Sequence, residues 1–119
     1  MQKTLVIIKP DAVQRRLIGK IINRFEEKGL EIVGLKMTVI SEGLAKEHYS
    51  VHEGREYYEN LIKFMTSGPV VMLVLRGMNA IEVTRKLMGS TFGYEADPGT
   101  IRGDYAMSKR FNLIHGSDS

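Results

Sequence analysis

The run Thr4-Leu5-Val6-Ile7-Ile8-Lys9 does most to constrain what this chain can fold into. A continuous apolar stretch rich in β-branched side chains, with no polar alternation, suits a strand covered by other structure on both faces. A second such run, Val70 to Leu75, follows the turn residues Ser67-Gly68-Pro69. Between them, Glu31 to Ile40 is rich in Ile, Val, Leu and Met and reads as another strand. A short last strand is expected through Asn112-Leu113-Ile114.

Helical spacing fills the intervals. Pro10 ends the first strand, and Asp11 followed by Gln14 resembles a capping pair at a helix start. Leu17, Ile18, Ile21, Ile22 and Phe25 then fall on one helical face, and Gly29 fits the left-handed position that closes such a helix. Ser41 with Leu44, Ala45, His48 and Tyr49 predicts a short capped helix, and Tyr57, Tyr58, Leu61, Ile62 and Met65 predict another. Asn79 is expected to cap a helix with Ile81, Thr84, Leu87 and Met88 on one side. From Gly89 to about Met107 the periodicity disappears, which predicts a long loop of a length that is usually functional or disordered. The order is that of the α+β ferredoxin-like βαββαβ plan. It implies an antiparallel four-stranded sheet with helices mainly on one face, an inserted helical pair, and the long loop before the last strand. With 119 residues and no repeat or linker, the chain reads as a single domain over 1–119.

Composition narrows the function classes. A hydrophobic content of 43% and a charged content of 26% belong to an ordinary globular chain. No apolar run approaches the ~20 residues of a membrane-spanning helix, and the start lacks the basic-then-apolar pattern of a secretory signal. The absence of cysteine excludes disulfides and thiolate metal sites and fits a cytoplasmic setting. The net charge of +3 permits a basic pocket for a small anion. It argues only weakly for nucleic acid, because a sheet-based RNA binder needs exposed aromatics on its central strands and Leu5–Ile8 and Val70–Leu75 offer none.

Candidate chemistry concentrates at the end of the sequence. In Asn112-Leu113-Ile114-His115-Gly116-Ser117-Asp118-Ser119 an apolar pair delivers a histidine, a glycine leaves room beside the ring, and oxygen-bearing side chains follow. That is a plausible setting for a nucleophilic imidazole. Neither glycine-rich nucleotide-binding signature occurs, so phosphate handling must come from side chains. Lys9 stands where a strand stops, and Arg85, Thr91, Thr100 and Arg102 are further candidates. The turn Pro98-Gly99-Thr100-Ile101-Arg102-Gly103-Asp104 has two glycines that let backbone and Arg102 approach a ligand. His48 and His52 lie in a polar helical stretch and are expected to form a solvated face. They are four apart but lack a third ligand, so no metal site is predicted. Tyr49, Tyr57 and Tyr58 read as core or interface aromatics, one of which could stack on a nucleobase.

Four segments together resemble one family along nearly the whole chain: Thr4–Ala12, Thr66-Ser67-Gly68-Pro69-Val70, Pro98–Asp104 and Asn112-x-x-His115-Gly116-Ser117-Asp118-Ser119. The chain is similar to nucleoside diphosphate kinases. The resemblance implies transfer of a γ-phosphate from a nucleoside triphosphate to a nucleoside diphosphate by a ping-pong route through a phosphohistidine at His115. It implies that Lys9 contacts the γ-phosphate and a ribose hydroxyl, that Arg85, Thr91 and Arg102 bind phosphates, and that Asn112 binds the ribose and phosphate chain. Tyr57 matches the base-stacking aromatic, a tyrosine where phenylalanine is common, with Leu61 lining the same slot. Tyr49 is expected beside Lys9 and the histidine, and Ser117 is expected to orient the imidazole. Mg²⁺ is implied to arrive with the nucleotide phosphates. A homo-oligomer, hexamer or tetramer of dimers, is implied, without membrane or nucleic-acid partners.

The pattern departs from the family at Phe92-Gly93, where Asn-Pro is usual, and at Lys109-Arg110-Phe111, which replaces Gly-Arg before the asparagine. Family sequences continue past the matching serine with a carboxylate that braces the serine and histidine, so a looser His115 and weaker activity are expected of the sequence given. The alternative is a nucleotide-binding, catalytically impaired assembly or interaction module of the same fold.

Overall fold

The computed structural model describes residues 1–108 and 111–117. Lys109 and Arg110, and with them that part of the departure before Asn112, lie outside the described residues, as do Asp118 and Ser119. The strands are β1 (Gln2–Ile8), β2 (Glu31–Thr38), β3 (Val70–Gly77) and β4 (Ile114–Gly116). They form one antiparallel sheet in the order β2-β3-β1-β4, with β1 central between β3 and β4. The helices are α1 (Pro10–Gln14), α2 (Ile18–Lys28), α3 (Glu42–His48), α4 (Tyr58–Met65), α5 (Ala80–Met88) and α6 (Ile101–Tyr105). The arrangement is the expected ferredoxin-like α+β plan.

Alternation along β1 explains why its apolar run is unbroken. Val6 and Ile8 are fully buried on one face, opposite Leu73 and Val71 of β3, in a core with Ile21 and Phe25 of α2 and with Met88 of α5. Ile7 points the other way into a second core with Ala45, Tyr49, Tyr58, Ile62 and Met65. The inserted pair α3–α4 therefore roofs part of the opposite face. Around Ile7 both faces of β1 are covered, while Leu5 further back on the same face is exposed.

Helix ends show which local signals act. Gly29 adopts φ +103° and its amide bonds the Glu26 carbonyl, while Leu30 N bonds the Phe25 carbonyl, a left-handed closure as expected. Ser41 caps α3 as expected, its hydroxyl accepting from Leu44 N. Two expected caps act differently. Asp11 lies inside α1, whose N-cap position is Lys9, and its carboxylate accepts from the distant Leu113 N at 3.1 Å. Asn79 makes no side-chain cap; it is left-handed at φ +54°, and Gln2 Oε1 accepts from Ile81 N instead. Arg16, at φ +61°, separates α1 from α2.

Three boundaries also shift. β2 ends at Thr38, and Ile40 turns into the second core. The expected loop from Gly89 to Met107 contains a 3₁₀ turn at Gly93–Glu95 and the helix α6, capped by Thr100 Oγ1 accepting from Gly103 N. The last strand begins at Ile114 rather than Asn112, so His115 lies within it rather than beyond it.

Candidate active site

Sheet register brings His115 out beneath α3 and α4. It lies opposite Ile7 in the β1–β4 pairing, and antiparallel partners share a face, here the face that the inserted helical pair covers. Its neighbours Ile114 and Gly116 pair with Ile8 and Val6 and turn to the opposite core. At that end of the sheet lies a cavity of about 340 Å³. Lys9, Tyr49, Tyr57, Leu61, Arg85, Thr91, Arg102, Asn112 and His115 all line it, so these sequence-predicted residues converge on one place. Ser117 is not part of that wall; its amide donates to the Leu5 carbonyl at 2.9 Å.

The polar side chains are held by one another and by backbone. Lys9, the residue after β1, is buried and donates from Nζ to Asn112 Oδ1 at 2.8 Å. Asn112 Nδ2 donates to the Thr91 carbonyl at 3.0 Å, tying the segment after α5 to the site. Arg102, on α6, donates to three carbonyls: Gly89 at 3.0 Å, Ile114 at 2.7 Å and Asn112 at 3.3 Å. Arg85 donates to the Gly116 carbonyl at 3.2 Å. Gly116 also lines the cavity. A Cβ there would come within 2.7 Å of Met88 Sδ, so the glycine lets α5 lie close against β4.

Among the described residues, three cationic side chains and no carboxylate line the cavity. Burial and the neighbouring His48, Lys9, Arg102 and Arg85 push the His115 imidazole down to about 4 from its ordinary value near 6.5. It is therefore neutral at physiological pH. Burial, then the Arg102 charge, lowers Lys9 to about 8, against a smaller opposing pull from Asp11. Burial pushes the Tyr49 phenol up to about 12, so it keeps its proton. Among the described residues its buried hydroxyl has no hydrogen-bond partner.

Two histidines expected on a solvated face belong to this site. His48 is exposed, yet its ring meets His115 edge-on, with centroids 5.0 Å apart and planes at 83°. His52 lines the cavity, and its Nδ1 is 2.6 Å from the Tyr57 hydroxyl. Their polar sequence neighbours hid both, because α3 and the 3₁₀ turn after it face the sheet end and solvent at once. Adjacency to Tyr49 signals His48, and nothing comparable signals His52.

This fold, with a neutral imidazole facing a cluster of cations, defines a protein built to handle an anionic, phosphate-like ligand. Comparison with known proteins gives that class a family. The nucleoside diphosphate kinase family model matches residues 2–119. A nucleoside diphosphate kinase of Thermoplasma volcanium is 54% identical over 119 residues, covering 100% of this chain and 81% of the relative. One from Methanocaldococcus jannaschii is 54% identical over 118 residues, covering 99% and 84%. Among solved structures, a halophilic nucleoside diphosphate kinase from Halobacterium salinarum, in complex with CDP, superposes with a TM-score of 0.97 at 51% identity, covering 98% of this chain and 77% of that one. The apo enzyme of Encephalitozoon cuniculi gives 0.97 at 43% identity, covering 100% and 81%. The chain belongs to the nucleoside diphosphate kinase family.

Proposed function

We propose that this chain moves the γ-phosphate of a nucleoside triphosphate to a nucleoside diphosphate through a phosphohistidine at His115. In the first half-reaction an imidazole nitrogen lone pair forms the N–P bond while the bond from γ-phosphorus to the bridging oxygen breaks, and the diphosphate leaves with that oxygen. In the second, a terminal oxygen of another diphosphate attacks the same phosphorus and restores the free imidazole. The observation that carries this reading is the neutral His115 ring in a cavity with Lys9, Arg85 and Arg102 and, among the described residues, no carboxylate. A neutral ring has its lone pair available, and pre-placed cations stabilise charge spread over the phosphoryl oxygens.

The remaining side chains take matching roles. Lys9, Arg85, Thr91 and Arg102 hold the phosphates, Asn112 the ribose and phosphate chain, and Tyr49 offers its free hydroxyl beside them. Tyr57 serves as the base platform with Leu61 beside it, and its hydroxyl contact with His52 fixes the ring plane. Stacking without edge readout suits any base. Ser117 supports the histidine from the residue after Gly116. The cavity's donor set suits anions and not a resident cation, so Mg²⁺ enters as part of the substrate, on the nucleotide's phosphate oxygens. A cytoplasmic setting, where such nucleotides are at hand, and a homo-oligomeric assembly belong to the same proposal.

Incubation with γ-labelled ATP tests it. Acid-labile, base-stable label is expected on the protein, is removed by added diphosphate, and is absent from His115→Gln. Equal labelling of that variant would overturn the proposal.

A further inference from the structure

We infer that Asp11 is a positioning residue for the nucleophile, acting through a strained turn at Leu113 that its carboxylate holds in place. The inference rests on the reading of His115 as the phosphate acceptor.

Leu113 has φ +74°, a region that side chains other than glycine rarely enter. Ile114 N bonds the Asn112 carbonyl at 2.9 Å, closing a three-residue ring around Leu113. The φ value and this bond describe the rarer, strained form of the γ-turn. The strain is local to the nucleophile, because His115 is two residues further on. Such a conformation persists only when its surroundings over-determine it.

The surroundings hold most of the turn's polar atoms. Arg102 Nε and a terminal nitrogen hold the Asn112 and Ile114 carbonyls. The Lys9 amide holds the Leu113 carbonyl at 2.8 Å. The fully buried Leu113 side chain anchors the turn in the main core. The Leu113 amide is held by Asp11 Oδ2, which accepts it at 3.1 Å. Without Asp11 this amide would be a buried donor lacking its partner, which is a strong drive to rearrange. Relaxation of Leu113 to extended backbone would change the angle at which β4 enters its pairing with β1, and so displace His115, which lies opposite Ile7. A small shift of the imidazole at the cavity is enough to spoil its alignment with a phosphorus.

The position of Asp11 fits this role. It is buried in the first turn of α1, two residues after Lys9, so one short segment supplies both a cavity cation and the brace for the histidine strand. Its other oxygen, Oδ1, has no hydrogen-bond partner among the described residues. What the turn uses is therefore a single acceptor oxygen at Oδ2, which an asparagine side chain can also supply.

The test compares Asp11→Ala with Asp11→Asn in a single turnover. Label on His115 from saturating Mg·ATP is followed in time, and ADP affinity is measured separately by calorimetry. Asp11→Ala is expected to slow phosphorylation about 100-fold, the scale of a small misplacement of a reacting group, with ADP affinity changed less than about threefold. Asp11→Asn is expected to keep the rate within about fivefold of wild type, because it restores the acceptor without the charge. A wild-type rate in Asp11→Ala would overturn the inference. So would equal loss in both variants, which would point to the carboxylate's charge near Lys9. A readout on the unaltered protein guards against a variant that does not fold. The Leu113 amide is expected to exchange with solvent as slowly as the core amides of β1, and exchange at the rate of an open loop would equally overturn the inference. Absence of label on the wild-type protein would instead overturn the reading of His115 itself.

Discussion

The His115 imidazole stands in a field of positive charge that keeps it from becoming positive itself. Burial and four basic neighbours lower it to about 4, while burial and Arg102 lower Lys9 to about 8. These shifts set opposite edges of activity. Below about pH 4 the ring is protonated and loses its lone pair, and above about pH 8 Lys9 loses the charge that receives phosphate. The kcat/KM profile of the free enzyme is therefore expected to be flat between these limits, without the inflection near pH 6.5 of an ordinary histidine. Lys9→Arg should move only the basic edge upward, since arginine stays charged. An acid edge near 6.5, in steady-state rates measured across pH, would contradict this account. His115 and Lys9 were legible in sequence because each ends or occupies an apolar run whose direction is predictable. His48 and Asp11 were not. Each acts on a residue far along the chain, Asp11 across 102 positions, and sequence spacing does not report such contacts.

Among the elements, the long periodic ones were readable and the short ones near the site were not. The faces of β1, α2 and α5 follow from alternation and helical spacing, which accumulate over many residues. α6 has five residues, Ile101–Tyr105, too few to display a period, and so it was expected as loop. β4 has three, and the turn at Leu113 displaced its start. What makes α6 hold is side-chain chemistry. Thr100 Oγ1 accepts from Gly103 N at 2.9 Å and donates to the Asp97 carbonyl at 2.6 Å. Gly103 leaves space where a Cβ would overlap that same carbonyl. This helix carries Arg102, so its cap connects to the cavity. Thr100→Ala is expected to lower unfolding stability by about 1 kcal/mol, in urea titrations, and to reduce kcat as Arg102 loosens. Thr100→Ser should restore most of both. An alanine variant equal to wild type in both measurements would show that α6 stands without its cap.

For the whole molecule, the sheet ends on one side at the short β4 and on the other at the longer β2. Leu35 and Met37 pair with Leu73 and Val71, so they point toward the helix-covered face, yet they are 63% and 57% exposed. Val39, just past the strand, is 60% exposed. Natural edge strands usually carry charge or proline that discourages pairing, whereas this one presents apolar side chains beside unpaired backbone groups. Such an edge suits burial against another copy of the chain. Wild-type protein is accordingly expected to elute with light-scattering masses that are multiples of 13.4 kDa. Leu35→Lys with Met37→Lys should shift the population toward the single chain, because a paired edge would bury two unpartnered charges per copy. The cavity is lined by residues of one chain at the far end of the sheet, and β1 and β3 separate it from this edge. The dissociated variant should therefore still form the His115 phosphate at a rate comparable to wild type. A wild-type mass of a single chain would remove β2 as an assembly surface. Dissociation accompanied by complete loss of labelling would show instead that the assembly holds the site in shape.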